Sequence, residues 1–263
     1  MLLTMDVGNT NIKFGLWLDN QLSFNWRVHT RRSTSGDELA LLLEGFLRLQ
    51  GVALKELENL VVASVVPPMR PAIERLGLRY IGRRPIFVEA HSQSLMPVLY
   101  DDPREVGADR VVGAIAAYRR CAAPLIVVDF GTATTFDCVS AAGEYLGGAI
   151  APGFRLSAEA LFHKASRLPK MEQFYRPVTA IAKDTVNSLN SGLVIGYAGL
   201  VEGLARRIAS EMTTTPKVIA TGGLAGLIAG ETAILEAVWP DLTMEGLKIV
   251  YDERAYGRQA ERD

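Results

Sequence analysis

At 263 residues, with 49% apolar and 22% charged positions, the chain has the composition of a packed globular protein and lies well outside the disordered regime. A formal charge of -1 gives no net attraction for nucleic acid or anionic lipid, which leaves small-molecule chemistry favoured. The only cysteines, Cys121 and Cys138, both in apolar settings, exclude a disulfide framework and a four-ligand zinc site.

Asp6 interrupts the first apolar residues and no basic segment precedes them, so no secretory signal is expected. No run approaches the ~18 apolar residues a membrane span needs. A cytoplasmic protein is the expectation.

In chain order, apolar β-rich runs bounded by turn signals predict strands at 2–5, 12–18, 22–28, 60–66 and 86–88. Among them, Leu39, Leu43, Phe46 and Leu47 keep helical spacing, and Ser35 with Glu38 has the form of a capping box, so a helix is predicted over 36–50. The second half repeats the grammar, with strands at 125–129, 134–140, 146–151 and 217–221 and helices near 156–165, 184–212 and 224–231. Strands mixed with helices, and a hairpin opening each half, give an α/β class: a mixed sheet covered by helices on both faces.

The two halves echo each other. Asp6-Val7-Gly8-Asn9-Thr10 recurs in form as Asp129-Phe130-Gly131-Thr132-Ala133, an offset of 123 residues and close to half the chain. Duplication of one strand-turn-strand element is the economical explanation, although an Asp-x-Gly tripeptide after an apolar run also arises by chance. The expected division is 1–118 and 119–263, with the linker near 119–124.

Familiar nucleotide loops are missing. None of the seven lysines follows a glycine, and no two of the 24 glycines are spaced G-x-G, which excludes the Walker loop, the dinucleotide fingerprint and the kinase glycine loop. Phosphate binding then needs another device, and the run Asp6, Val7, Gly8, Asn9, Thr10, Asn11, Ile12, Lys13 supplies one. A carboxylate ends a strand, Gly8 admits a ligand close to the turn, turn N–H groups form an anion nest, and Asp6 can orient hydrated Mg²⁺. An ordinary hairpin turn explains the same residues equally well.

The second element, 129–137, places three hydroxyls and two carboxylates after a buried run, chemistry suited to phosphate oxygens and a cation. Thr221-Gly222-Gly223 follows a strand and opens a helix, where backbone can approach a nucleotide; a plain glycine turn is the competing account. Gly107-Ala108-Asp109-Arg110 precedes an apolar helix. Asp109 is there either a helix cap or a base that takes a hydroxyl proton, with Arg110 as a fork for an anionic substrate.

Taken together and in this order, DVGNT, GADR, DFGTATTFD and TGG resemble the type III pantothenate kinases, within the superfamily of acetate and sugar kinases, heat-shock ATPases and actin. The resemblance spans nearly the whole chain. It implies two duplicated ribonuclease H-like, actin-like ATPase lobes and ATP-dependent phosphorylation of pantothenate to 4′-phosphopantothenate, the first step of coenzyme A synthesis. It implies that Asp6 to Lys13 bind ATP phosphates and Mg²⁺, with Thr132 adding an ATP contact, and that Asp109 is the general base. By the same resemblance Gly107, Ala108, Asp109, Arg110, Tyr100 and Thr185 bind pantothenate, and Asp129 holds a monovalent cation, K⁺ or NH₄⁺.

The stripe Gly192, Gly196, Gly199 and Gly203 keeps helical spacing and marks close packing, within the fold or between subunits; the resemblance implies a homodimer. His29 and His91 lack partners at ligand spacing and read as packed or surface residues; His163 follows Phe162 on a predicted helix. Two rival functions remain: another small-molecule kinase of the superfamily, and a regulatory ATP-binding protein.

Overall fold

The computed structural model describes residues 1–260. The chain divides into two compact units, the first made of residues 1–96, 101–116 and the segment from Thr243 onward, the second of 97–100 and 117–242.

Unit one is built on β1 (Leu2–Val7), β2 (Asn11–Leu18), β3 (Gln21–His29), β4 (Asn59–Ser64) and β5 (Ile86–Phe87), in the order β3-β2-β1-β4-β5. The hairpin strands pair antiparallel, while β4 and β5 continue in parallel. β1 is buried along its whole length, as a central strand covered on both faces must be. One face carries Leu3, Met5, Val7, Phe14 and Val62 into a core with Leu39, Leu43 and Leu47 of α1 (Gly36–Arg48) and Ile73 of α2 (Arg70–Arg75). The expected capping box starts α1: Glu38 N donates to Ser35 Oγ at 3.2 Å and Ser35 N to Glu38 Oε2 at 2.7 Å.

The opposite face of this sheet carries Thr4 and Asp6. α3 (Ala108–Cys121) and α7 (Leu242–Ala260) belong to this side: Trp17 Nε1 donates to Thr4 Oγ1 at 3.0 Å, and Thr4 Oγ1 reaches Met244 Sδ at 3.1 Å. At Gly246 a Cβ would run into Val112 O, so the two helices meet backbone to backbone at that residue. α2 and α7 lie outside the elements predicted from the sequence.

Unit two repeats the plan with β6 (Leu125–Phe130), β7 (Ala133–Val139), β8 (Tyr145–Pro152), β9 (Lys217–Gly222) and β10 (Ala237–Val238), in the order β8-β7-β6-β9-β10. Antiparallel and parallel pairings fall at the same places as in unit one. Asp6 and Asp129 each occupy the fifth position of a six-residue strand, so the echo in the sequence is an echo in topology. Ile126, Val128, Phe130 and Phe136 pack with Phe154 of α4 (Phe154–Lys164), Val194, Tyr197 and Val201 of α5 (Thr185–Glu211), and Ile228 of α6 (Ala225–Ala229).

Candidate functional site

In unit one, the turn joining β1 to β2 is closed by Gly8 N donating to Asn11 O at 3.0 Å. A Cβ on Gly8 would stand 3.2 Å from that oxygen, tighter than a side chain normally accepts. Thr30, at the end of β3, braces the loop: its hydroxyl donates to Gly8 O at 2.6 Å and its N–H to Thr10 O at 2.9 Å. Thr30 carries no motif, and only the hairpin register could have pointed to it. Asn9 and Thr10 are exposed at the tip, and Arg32 Nη2 approaches Asn9 Oδ1 at 3.5 Å. Asp6, only 7% exposed, has Lys13 as its cross-strand partner, with Nζ 3.6 Å from Oδ2. The loop thus offers a cation and exposed turn groups beside one nearly buried carboxylate.

The Gly107-Arg110 segment lies beside this loop. Val65 N donates to Val7 O at 3.0 Å, and a Cβ on Gly107 would stand 3.4 Å from Val65 Cγ1. Two motifs about a hundred residues apart therefore flank a single valine. Asp109 falls inside the first turn of α3, where Oδ1 accepts from Arg110 N at 2.9 Å. A Cβ on Gly107 would be 2.5 Å from that same Oδ1, so glycine is what lets the carboxylate fold back over the helix start.

In unit two, Asp129 pairs in register with Thr135 on β7 and Thr221 on β9, which brings the DFGTATT and TGG motifs together. Gly222 has φ +92°, and its missing side chain leaves room where Asp129 Oδ1 and Phe130 O converge; a Cβ there would strike both. Thr132 is exposed in the turn, with its carbonyl packed against Gly153 at the head of α4. Behind the turn, the buried Tyr197 hydroxyl donates to Pro152 O at 2.6 Å and meets Thr134 Oγ1 at 2.5 Å, and burial pushes the phenol's pKa up. Asp137, 2% exposed, accepts from Tyr145 OH at 2.7 Å and Thr135 Oγ1 at 3.0 Å.

Tyr100 lies on the edge of this sheet. Residues 97–100 run alongside β8 through Tyr145 N to Pro97 O and Leu99 N to Tyr145 O, both 2.8 Å. Gly147, φ +112°, sits against the Tyr100 ring, 3.4 Å from a Cβ built there. Thr185 is exposed as the first residue of α5; Asp184 caps the helix by accepting from Asn187 N at 2.9 Å, and this bond holds its carboxyl below the ordinary range. Tyr100 and Thr185 share no hydrogen bond among the described residues. His91 pairs with Glu89 at 3.4 Å, and no cluster of three His, Cys, Asp or Glu among the described residues could hold a metal directly.

Two five-stranded mixed sheets of identical order, each opening on an Asp-x-Gly hairpin, define the actin-like ATPase and sugar-kinase fold. Solved structures agree. A Campylobacter jejuni protein described as a Baf family transcriptional activator superposes with a TM-score of 0.59 at 20% identity, covering 97% of this chain and 100% of that one. A Sinorhizobium meliloti protein described as a 2-dehydro-3-deoxygalactonokinase gives 0.58 at 14% identity, covering 95% of this chain and 96% of that one.

The family model for type III pantothenate kinase matches residues 2–207, and a type III pantothenate kinase of Syntrophotalea carbinolica is 54% identical over 95% of this chain and 98% of its own length. The chain belongs to the type III pantothenate kinase family.

Proposed function

We propose that the protein transfers the terminal phosphoryl group of ATP to pantothenate, forming 4′-phosphopantothenate at the start of coenzyme A synthesis. The observation that carries this reading is family membership across residues 2–207, a span that includes Asp6, Tyr100, Asp109, Asp129 and Thr185. The two compact units act as the two ATPase lobes.

Lys13 and the N–H groups of the 8–10 turn hold ATP phosphates, with Thr132 adding a hydroxyl from the equivalent turn of unit two. Asp109 accepts the proton of the pantothenate hydroxyl as its oxygen bonds the γ-phosphorus, while the bond from phosphorus to the bridging oxygen breaks and ADP leaves. Phosphoryl transfer passes through a loose transition state and asks mainly for alignment and charge neutralisation, so a carboxylate held by Arg110 N suits the task. Gly107 to Arg110, Tyr100 and Thr185 bind pantothenate.

Asp6 stands beside a lysine, with no acid cluster around it among the described residues, a donor set that fits magnesium held through its own waters and not a transition metal. Asp129 Oδ1 and Phe130 O, converging over Gly222, give the all-oxygen setting that suits a monovalent cation such as K⁺ or NH₄⁺. Both cations supply positive charge for the phosphates when bound.

A homodimer completes the reading. Gly192, Gly196, Gly199 and Gly203 are exposed on α5, and a Cβ at any of them would meet nothing within 4 Å, so the stripe is not used for packing in its own chain. Among the described residues no helix is long and apolar enough to cross a membrane, and both cysteines are free thiols; we place the activity in the cytoplasm, where ATP is supplied. Purified protein supplied with ATP, Mg²⁺, K⁺ and pantothenate should form 4′-phosphopantothenate, read by phosphorus NMR. Bound ATP without acceptor-dependent turnover would favour a regulatory protein.

A further inference from the structure

A cavity of about 680 Å³ opens in unit one, lined by Arg70, Arg83, Arg84 and Arg254, by Glu58, Asn59 and Glu74, and by Pro85, Ile86 and Phe87. It lies at Asn59, the first residue of β4, whereas the Gly8 turn lies beyond Ser64 at the other end of that strand. At ~3.3 Å per residue the two are separated by most of the sheet's length. The cavity is therefore not part of the phosphoryl-transfer machinery.

Its charges are unevenly matched. Glu58 accepts from the N-terminal amine at 2.7 Å, and Glu74 is 3.4 Å from Arg70, which also bonds Glu89 at 3.0 Å and lies over the Phe87 ring at 4.2 Å. Arg83, Arg84 and Arg254 line the pocket and enter no ion pair among the described residues, whereas both lining acids are already paired, Glu58 with the N-terminal amine and Glu74 with Arg70. The turn that presents Arg83 and Arg84 is well held. Gly82 takes φ +75° just past the helical segment Leu76–Ile81, Arg83 N donates to Gly77 O at 3.0 Å, and the Pro85 ring fills the place of a side chain on Gly77.

We propose that this cavity binds a small phosphorylated anion at a second site, away from catalysis. Guanidinium forks match phosphate oxygens, the volume suits a metabolite-sized molecule, and Pro85 and Ile86 give it an apolar wall. A concave pocket fits such a ligand better than an extended acidic peptide. Nor is the chain basic overall, as a nucleic-acid binder would be.

The test uses the whole protein with pyrophosphate as the probe, read by hydrogen exchange of the amides at 82–88, a signal that phosphate binding at the Gly8 turn does not give. Millimolar pyrophosphate should protect these amides. Arg83→Gln with Arg84→Gln should weaken that protection about tenfold or more, the loss expected for charge-assisted contacts, while kcat and the KM values measured without probe stay within about twofold of wild type. The proposal is overturned by no protection at 10 mM probe (about the weakest affinity of interest), by equal protection in the double variant, or by protection from a polyglutamate peptide but not from pyrophosphate.

Discussion

Lys13 Nζ stands 3.6 Å from Asp6 Oδ2, the two residues directly opposite each other across the β1–β2 pair. The contact places a cation and a nearly buried carboxylate at the mouth of the Gly8 turn. In the proposed mechanism, Lys13 serves the phosphates and Asp6 the hydrated magnesium. Lys13→Ala should raise the KM for ATP about ten- to a hundredfold, the weight of one charge-assisted contact, with the KM for pantothenate little changed. Asp6→Asn should raise the Mg²⁺ concentration needed for half-maximal rate. Steady-state kinetics with each substrate varied checks both.

Asp109 is proposed to act on the acceptor and not on ATP. Asp109→Asn should lower kcat by roughly 10²- to 10⁴-fold, as loss of a general base does, while nucleotide affinity stays near wild type by calorimetry. Turnover at the wild-type rate would leave Asp109 a structural residue of the α3 start.

The oxygens of Asp129 and Phe130 converge over Gly222, and the proposed cation there is selected by size. Activity should require K⁺ or NH₄⁺, with Na⁺ a poor substitute at constant Mg²⁺. Gly222→Ala should weaken the K⁺ dependence strongly, since a methyl group fills the space and φ +92° strains any residue but glycine. Rates measured across a K⁺ titration test both statements.

Asp184 sets the start of α5 and so the place of Thr185. Its carboxyl is held below the ordinary range chiefly by the Asn187 backbone N–H, then by the Asn187 side chain. A depressed folded pKa means that this stabilisation is present above the unfolded value near 3.8 and is lost as pH falls through the lower folded value. Protection of the amides in the first α5 turn, relative to their intrinsic exchange at each pH, should fall below about pH 4, and Asp184→Ala should show the same loss of protection at neutral pH together with a raised KM for pantothenate.

The glycine stripe gives a test of assembly. Because a side chain at Gly196 or Gly199 meets only open space in its own chain, Gly196→Trp should leave the fold intact by circular dichroism. It should nevertheless convert a dimer to a monomer in sedimentation and lose activity. If pantothenate binding is shared across that interface, mixing inactive Asp109→Asn with an inactive Thr185→Trp chain should restore part of the activity. An active monomer would contradict the dimer.

Much of the fold is legible in the amino-acid sequence. The apolar β-rich runs bounded by turn signals locate the hairpins, Ser35 and Glu38 mark the α1 start, and the 123-residue offset between Asp6 and Asp129 corresponds to a duplicated sheet of the same strand order. Features that depend on contacts distant in sequence are not legible there. Thr30 matters only because β3 returns its end to the Gly8 carbonyl, and Val65 only because Val7 and Gly107 both reach it. Gly147 has no local signature, and its value lies in the Tyr100 ring against it. α7 lies outside the predicted elements although Leu242, Met244, Leu247 and Val250 are all buried on it; its close approach to α3, where Gly246 meets Val112 O, depends on a contact distant in sequence.

Pantothenate phosphorylation itself is tested most directly by an acceptor panel. With ATP, Mg²⁺ and K⁺ present, ADP release should depend on pantothenate alone among pantothenate, acetate, glycerol, common hexoses and water, and the product should be phosphorylated on the primary hydroxyl. Equal turnover with a sugar or a carboxylate, or ATP bound and never consumed whichever acceptor is offered, would contradict it.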